Sequence, residues 1–520
     1  MTLNQLLLMD KNYYITTPIY YPSAKPHMGH AYSSILADFF ARFKKIQGFN
    51  VFFLTGTDEH GQKIQRAAKE KNKDPQLICD EISENFRKLS ITLNLSNNDF
   101  IRTTETRHLV SATNLWNILE NNKEIYLSKY SGWYSVSDEA FYADDEIKEL
   151  NGKKIATNSG SDVEWVEEES YFFRLSKWEK PLLDFYKKNP NFILPESRKN
   201  EVISFVKSGL KDLSVSRKSF SWGIKVPSNN DHVIYVWLDA LTNYISALNY
   251  PNQNDALYKN FWPADLHLIG KDILRFHAVY WPAFLLAANI QPPKRVYGHG
   301  WILSGDEKMS KSKGNILDPI EVIEKYGIDP LRYYLIKEVS FGNDGNISKE
   351  KLESCINSDL ANNYGNLCQR VISFIEKNCN FEIPEKDKFS EEDLNVLSKF
   401  QQNYENIISY IDNQNVNSYV NFIVENLFAA NKYYNDQEPW KKKSDLKRLN
   451  TINYVSLELI RKLSILLYPI IPNSAVKSLS LFNIKENEID FNTIINNESL
   501  IPKSKLFKIG ILFKKIEKND

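Results

Sequence analysis

His27-Met-Gly-His30 places two imidazoles three residues apart with a glycine near them, just before a helix-period pattern begins. Backbone N–H groups and the dipole make a helix start attractive to phosphate. Imidazoles there add side-chain donors for a triphosphate, and Gly29 leaves room for a purine to approach the backbone. Taken alone, the motif also suits a polar cap or half of a metal site. A second candidate is the Gly- and Ser-rich stretch Ser304-Gly-Asp-Glu-Lys-Met-Ser-Lys-Ser-Lys-Gly-Asn315, which crowds Lys308, Lys311 and Lys313 together. Such a loop can close on a triphosphate and neutralise charge on a leaving pyrophosphate. Asp58, in Thr55-Gly-Thr-Asp-Glu-His-Gly61, suits a cationic group such as an α-ammonium. Asp272, in Gly270-Lys-Asp272, suits a ribose hydroxyl.

Strand-to-helix turns of a parallel sheet must carry these groups. Tyr13 to Thr17 reads as a buried strand. Pro18, Pro22 and Pro26 then interrupt regular structure, and Met28 to Ile46 has apolar residues at helical spacing before Gly48. Phe49 to Leu54 is the next strand, and Lys63 to Leu95 reads as covering helices. From about Glu120 the pattern changes to short antiparallel strands, which marks an insertion. The sheet is expected to resume with a strand at Val233 to Trp237, and again at Leu266 to Ile269 and at Arg295-Val-Tyr. Ile273, His277 and Trp281 share one face at i, i+4 and i+8, a spacing that equally describes core packing. From about Ser358 the strands stop. Asp359 to Lys377, Glu391 to Asp412, Val416 to Tyr434 and Leu446 to Leu467 read as amphipathic helices. Glu438-Pro-Trp-Lys-Lys-Lys443 and the lysine-rich segment 502–520 pair aromatics with cations, the equipment for unstacked bases.

The 520 residues predict roughly two to four domains. Composition is that of an ordinary globular protein, and no apolar run reaches the ~20 residues of a membrane span. The first ten residues lack a basic n-region, so no secretory signal or transit peptide is expected, and the cytoplasm is the expected compartment. Cys79, Cys355, Cys368 and Cys379 form no Cys-x-x-Cys pair and are expected as reduced, packed thiols. Net charge is zero, which does not exclude a local nucleic-acid surface.

His27-Met-Gly-His30 and Lys308-Met-Ser-Lys-Ser312, in this order, resemble the two signatures of class I aminoacyl-tRNA synthetases. Pro18-Ile-Tyr-Tyr, Gly56-Thr-Asp-Glu-His-Gly61, Tyr235-Val-Trp-Leu-Asp-Ala240, Gly270-Lys-Asp272 and His299-Gly-Trp301 resemble the methionyl members. The resemblance covers nearly the whole chain. It implies an α/β Rossmann-type parallel-sheet catalytic domain split by a connective insertion, followed by an all-α anticodon-binding domain. The implied division is 1–119 and 232–300 for the two catalytic halves, and 120–231 for an insertion with a metal-free knuckle. The lysine loop and stem-contact region would take 301–355, and the helical domain 356–520.

The implied reaction joins L-methionine to the terminal adenosine of initiator and elongator tRNA(Met) through methionyl-adenylate, with Mg2+ accompanying ATP. His27, His30, Lys308 and Lys311 would be catalytic. Gly29, Gly270, Asp272, Met309, Ser310 and Ser312 would join them around ATP. Ile19, Tyr21, Asp58, Trp237, Ala240, Tyr244, Ile273, His277 and Trp281 would bind methionine. Asn366, Arg370 and Trp440 would read the anticodon. Many members carry zinc knuckles in the insertion. This sequence lacks the cysteines, so no structural zinc is expected, and without an appended dimerising module a monomer is expected.

Rival readings are other class I synthetases, a small-molecule nucleotidyltransferase, and a non-catalytic tRNA-binding protein. The isoleucine, valine and leucine enzymes need a large editing insertion, because one methylene yields only ~1–3 kcal/mol of discrimination. The cysteine enzyme needs a zinc thiolate site, and a nucleotidyltransferase has no use for the helical region.

Overall fold

β-Branched and aromatic residues buried on both faces build the central sheet, as expected where helices cover both sides. The computed structural model describes residues 11–21, 26–135, 140–142, 144–150, 152–157, 159–304, 307–308, 317–339 and 342–517. Its main strands are β1 (Asn12–Tyr20), β2 (Asn50–Thr57), β3 (Asp99–Arg102), β4 (Ile193–Leu194), β5 (Leu266–Gly270) and β6 (Val296–His299). They run parallel in the order β3-β2-β1-β5-β6-β4. The chain leaves β1 towards β2 and later returns on the other flank to β5. The β1/β5 boundary is therefore the switch point, where ligands of open parallel sheets bind.

Pro18 does not interrupt β1, contrary to the sequence expectation. The register with β2 shifts between Thr16 and Ile19, so an irregularity carries the proline through the strand. Helix α1 (Met28–Ile46) follows and is buried over most of its length. Helix α2 (Thr106–Asn121) packs beside α3 (Val236–Ser246).

The insertion contains the paired strands Ile125–Ser135 and Glu164–Phe173, which run antiparallel. Two features depart from the expected division. Strand β4 lies inside 120–231 yet pairs in parallel with β6, so the insertion supplies the edge of the catalytic sheet. The expected return strand at Val233 to Trp237 is not part of that sheet. Asn229–Ile234 instead pairs antiparallel with Ser216–Arg217 and Lys225–Val226, and Val236 already begins α3. An apolar run of this length suits either a strand or a helix start, and periodicity alone does not choose between them.

The C-terminal part is helical, with α4 (Asn366–Asn378), α5 (Val416–Gln437) and α6 (Leu446–Leu467). The single helix expected over Glu391 to Asp412 is divided at Asn403 into Glu391–Gln402 and Tyr404–Asp412. A buried ionic junction joins this part to α1. Asp38 pairs with Arg42 and Arg332, each at 2.7 Å. Arg42 donates to the Tyr468 hydroxyl, and Arg332 to the carbonyls of Pro469 and Ile470. Burial alone would raise the Asp38 carboxyl, but Arg42, Arg332 and Ser96 together hold it below the usual carboxylate range.

Candidate active site

The histidine motif forms a reciprocal cap on α1. Gly29 N–H donates to His27 Nδ1 at 3.1 Å, and His27 N–H donates to His30 Nδ1 at 3.2 Å. A ring nitrogen that accepts carries no proton, so these bonds place the proton of each neutral imidazole on Nε2. The two rings stack with centroids 3.7 Å apart. His30 also lies against Tyr20 and Phe86, and burial, then His27, lowers its pKa well below the ordinary value. A Cβ on Gly29 would sit 3.0 Å from the His27 ring, so a side chain there would press on the stacked imidazole.

Asp58 follows β2 and is nearly buried. Tyr21 follows β1, and its hydroxyl donates to the His60 carbonyl at 3.2 Å. Ile19 is partly buried beside the same core. The expected methionine-binding residues on the other flank converge on Tyr244. Its hydroxyl bonds His277 Nε2 at 2.8 Å, while His277 Nδ1 faces the Ile273 carbonyl at 2.9 Å. Burial lowers the His277 pKa to about 4, so this imidazole is neutral, donates through Nδ1 and accepts from Tyr244. The Trp281 ring lies 6.2 Å from Tyr244 and is fully buried. Among the described residues, its indole N–H has no hydrogen-bond acceptor. Ala240 lies one turn before Tyr244 on α3. Trp237 stacks on Phe276 with centroids 3.5 Å apart. The stretch holding His277 is not a plain α-helix: Phe276–Tyr280 forms a π-turn before α-helix resumes at Trp281. Such turns recur at functional sites.

The residues expected around the nucleotide lie at the ends of β5 and β6. A Cβ on Gly270 would sit 2.5 Å from Asp272 Oδ1, so a side chain there would push this carboxylate aside. Trp301 Nε1 donates to Asp272 Oδ1 at 3.2 Å, and Lys271 pairs with Asp344 at 2.7 Å. His299 closes the floor through a 2.8 Å bond to Ser33 of α1. Lys308 is placed by its backbone alone, opposite Leu303 in a short antiparallel pair. Met309, Ser310, Lys311 and Ser312 lie outside the described residues.

In the helical part, Arg370 of α4 reaches Trp440, with the guanidinium carbon 5.9 Å from the ring centre. It also donates to Asn435 at 2.7 Å. Asn366 is half-buried one turn earlier on α4. Of the expected cationic C-terminal segment, Lys503 and Lys508 are paired with Glu385 and Glu376.

Sequence reasoning missed Phe276, the Tyr434 ring 6.1 Å from Trp440, and His267. His267 stacks beneath Tyr244 at 4.1 Å and bonds Thr16 at 2.8 Å. The signal for His267 was its position in the strand before Gly270, where alternation decides which face it lines. Phe276 and Tyr434 stand in aromatic-rich helices and carry no distinguishing spacing.

A parallel sheet opened at its switch point, a histidine-capped helix on one flank and a buried aromatic cage on the other, defines an enzyme site of nucleotide-binding α/β type. The family described as tRNA synthetases class I (M) matches residues 13–372, and the anticodon binding domain of methionyl tRNA ligase matches 383–520. A methionine–tRNA ligase of Rickettsia conorii is 49% identical over 515 residues, covering 98% of this chain and 100% of the relative. One from Brucella suis is 47% identical, covering 93% and 94%. The methionyl-tRNA synthetase of Mycobacterium tuberculosis in complex with methionyl-adenylate superposes with a TM-score of 0.94 at 44% identity, covering 97% and 99%. The chain belongs to the methionyl class I tRNA synthetase family.

Proposed function

We propose that the chain activates L-methionine with ATP and transfers it to tRNA(Met) in two steps. A methionine carboxylate oxygen attacks the α-phosphorus, giving methionyl-adenylate and releasing pyrophosphate. The 2′-hydroxyl of the terminal ribose then attacks the adenylate carbonyl, and AMP leaves. No protein nucleophile is needed, and the residues act by positioning and by charge stabilisation. The observation that carries this reading is the placement of the imidazole cap and the Tyr244–His277–Trp281 cage on opposite flanks of one switch point. A carboxylate and an α-phosphate bound there would meet.

In this reading His27 and His30 donate from Nε2 to the phosphates. Lys308 and Lys311 hold the triphosphate, with Met309, Ser310 and Ser312 as the loop around them. Gly29 and Gly270 seat the adenine, and Asp272 accepts from the ribose in exchange for Trp301. Asp58 binds the ammonium. Ile19, Tyr21, Trp237, Ala240 and Ile273 complete the cage, where a soft thioether is well accommodated against aromatic rings. Asn366, Arg370 and Trp440 read the anticodon, the last two as a half-buried cation beside an exposed ring. Mg2+ is held by the triphosphate, whose oxygens are its natural hard ligands. A zinc-free knuckle is supported by the cysteine positions, none of which falls within 120–231, and by Trp133 packed on Trp165 with Lys154 over its ring. A cytoplasmic location agrees with free, largely buried thiols, and among the described residues no helix is long and apolar enough to cross a membrane.

The test is ATP–pyrophosphate exchange with each of the twenty amino acids. Methionine alone should support exchange. Activation of another amino acid would overturn the specificity and spare the reaction class.

A further inference from the structure

Asp239 lies on α3 between the expected cage residues Trp237 and Ala240. Its carboxylate is buried and bridges two imidazoles: Oδ2 is 2.6 Å from His60 Nδ1, and Oδ1 is 2.7 Å from His108 Nε2. His60 stands two residues after Asp58 in the turn following β2, and His108 is on α2. Three separate elements therefore meet on one carboxylate.

A carboxylate only accepts, so both facing imidazole nitrogens must donate. Ser246 lies 3.1 Å from His108 Nδ1 and also 2.9 Å from the Thr242 carbonyl. Its single proton serves one of the two, and under either choice His108 Nε2 remains the donor to Asp239. Burial alone would raise the Asp239 carboxyl, but the two histidines hold it at about 2. The charge therefore persists throughout the physiological range.

The turn that His60 occupies carries the contacts expected for the polar end of methionine. Asp58 N–H donates to the Tyr20 carbonyl at 3.0 Å, and the Tyr21 hydroxyl donates to the His60 carbonyl. From the insertion side, Trp222 Nε1 donates to the Glu59 carbonyl at 2.7 Å, and Gly61 N–H donates to the Trp222 carbonyl at 3.1 Å. Trp222 holds the backbone of the turn. Asp239 holds its side-chain face and ties it to the helix that bears the cage.

We propose that Asp239 is a positioning residue for methionine: through His60 it sets turn 58–61, and with it Asp58 and Tyr21, at a fixed distance from the cage on α3. The inference rests on the methionine-activating reading above. ATP is held from α1 and from the ends of β5 and β6, none of which Asp239 bonds. The consequence is therefore selective for one of the two substrates.

The test is steady-state exchange by Asp239→Asn, His60→Ala and His60→Asn, with methionine and ATP varied separately. An asparagine at 239 presents an N–H to one imidazole donor and so breaks one of the two bonds. An asparagine at 60 retains an N–H near the Nδ1 position. Losing a hydrogen bond to a charged group should raise the methionine KM about tenfold or more in Asp239→Asn and His60→Ala, with the ATP KM within about twofold. His60→Asn should recover most of the loss. Equal change in both KM values, no change in either, or no difference between His60→Asn and His60→Ala would overturn the proposal. The His60 pair reads the same bond from its other end, so the test does not depend on Asp239→Asn folding. Absence of methionine-dependent exchange by the unsubstituted protein would instead overturn the underlying reading, and this inference with it.

Discussion

The proposed amino-acid cage and the proposed anticodon corner both use aromatic rings, but they are built in opposite ways. Trp281 is fully buried, and Tyr244 and His277 are fixed by hydrogen bonds in the buried interior. Trp440 remains 39% exposed, with an Arg370 guanidinium beside it. The difference follows from the proposed ligands. A small apolar side chain gains most from a closed cavity that is already formed. A base arrives with its own ring and phosphate charge, so an open ring and a cation are enough. In the proposed reading the cage is a preorganised surface of neutral groups, whereas the corner serves as a landing platform.

Substitutions at the two ends should separate them. The largest effect is expected for His30→Ala, which removes one phosphate donor beside the cage. Exchange should fall by about 10²–10³ at unchanged tRNA affinity, because a lost transition-state donor costs that much. A mild loss would show that the preformed side does little for the chemistry. Trp440→Ala should do the reverse. Aminoacylation should show a tRNA KM raised by roughly 5- to 150-fold, since a stacked base is worth ~1–3 kcal/mol, while tRNA-free exchange is unaltered. A fall in exchange would mean the two regions are not separable. Lys311→Ala should cut exchange at least about tenfold with folding intact by circular dichroism. Near-normal exchange would remove this lysine from the mechanism.

The smallest expected effect is on stability. His277 is held neutral, with its pKa moved from 6.5 down to about 4. A depressed folded pKa means that the unfolded chain binds the proton first. The stability is therefore full above about pH 6.5 and declines as pH falls towards 4. Between pH 6 and pH 5 the His277 share of the loss is ~1 kcal/mol. Denaturant midpoints of the unsubstituted protein and His277→Gln at these two pH values measure it, and the variant should show the shallower slope.

How legible the molecule is in its sequence depends on the range of the interaction. The strand–loop–helix at the start, the turn after β2 and the long helices of the C-terminal part follow from local period and punctuation. Ile273, His277 and Trp281 do cluster near Tyr244, although a π-turn and not the plain helix of the sequence reading presents them. What local pattern does not reveal is pairing at long separation. The bond from Asp239 to His60 joins residues 179 positions apart, and neither side chain advertises the other. Strand β4 is two residues long, too short to show alternation, and only its parallel partner β6 makes it a strand. Pro18 misled for the opposite reason. The local rule against proline in strands is sound, but a register shift exempts this one.

Helix α1 spans about 28 Å at 1.5 Å per residue. Its first turn is the histidine cap, and its later turns carry Asp38 and Arg42 into the ionic junction with Arg332 and the Tyr468–Ile470 segment. This sets where the chain can be cut. A fragment ending before the helical part would keep Asp38 and the Asn94 and Leu93 carbonyls as acceptors for Arg42 and Arg332, but lose the Tyr468 hydroxyl and the Pro469 and Ile470 carbonyls. Those charges would then face an unsealed surface at the far end of the helix that carries His27 and His30. A minimal catalytic fragment therefore has to retain the segment around Tyr468, or replace the Arg332 contacts with apolar packing, to keep its first turn in register.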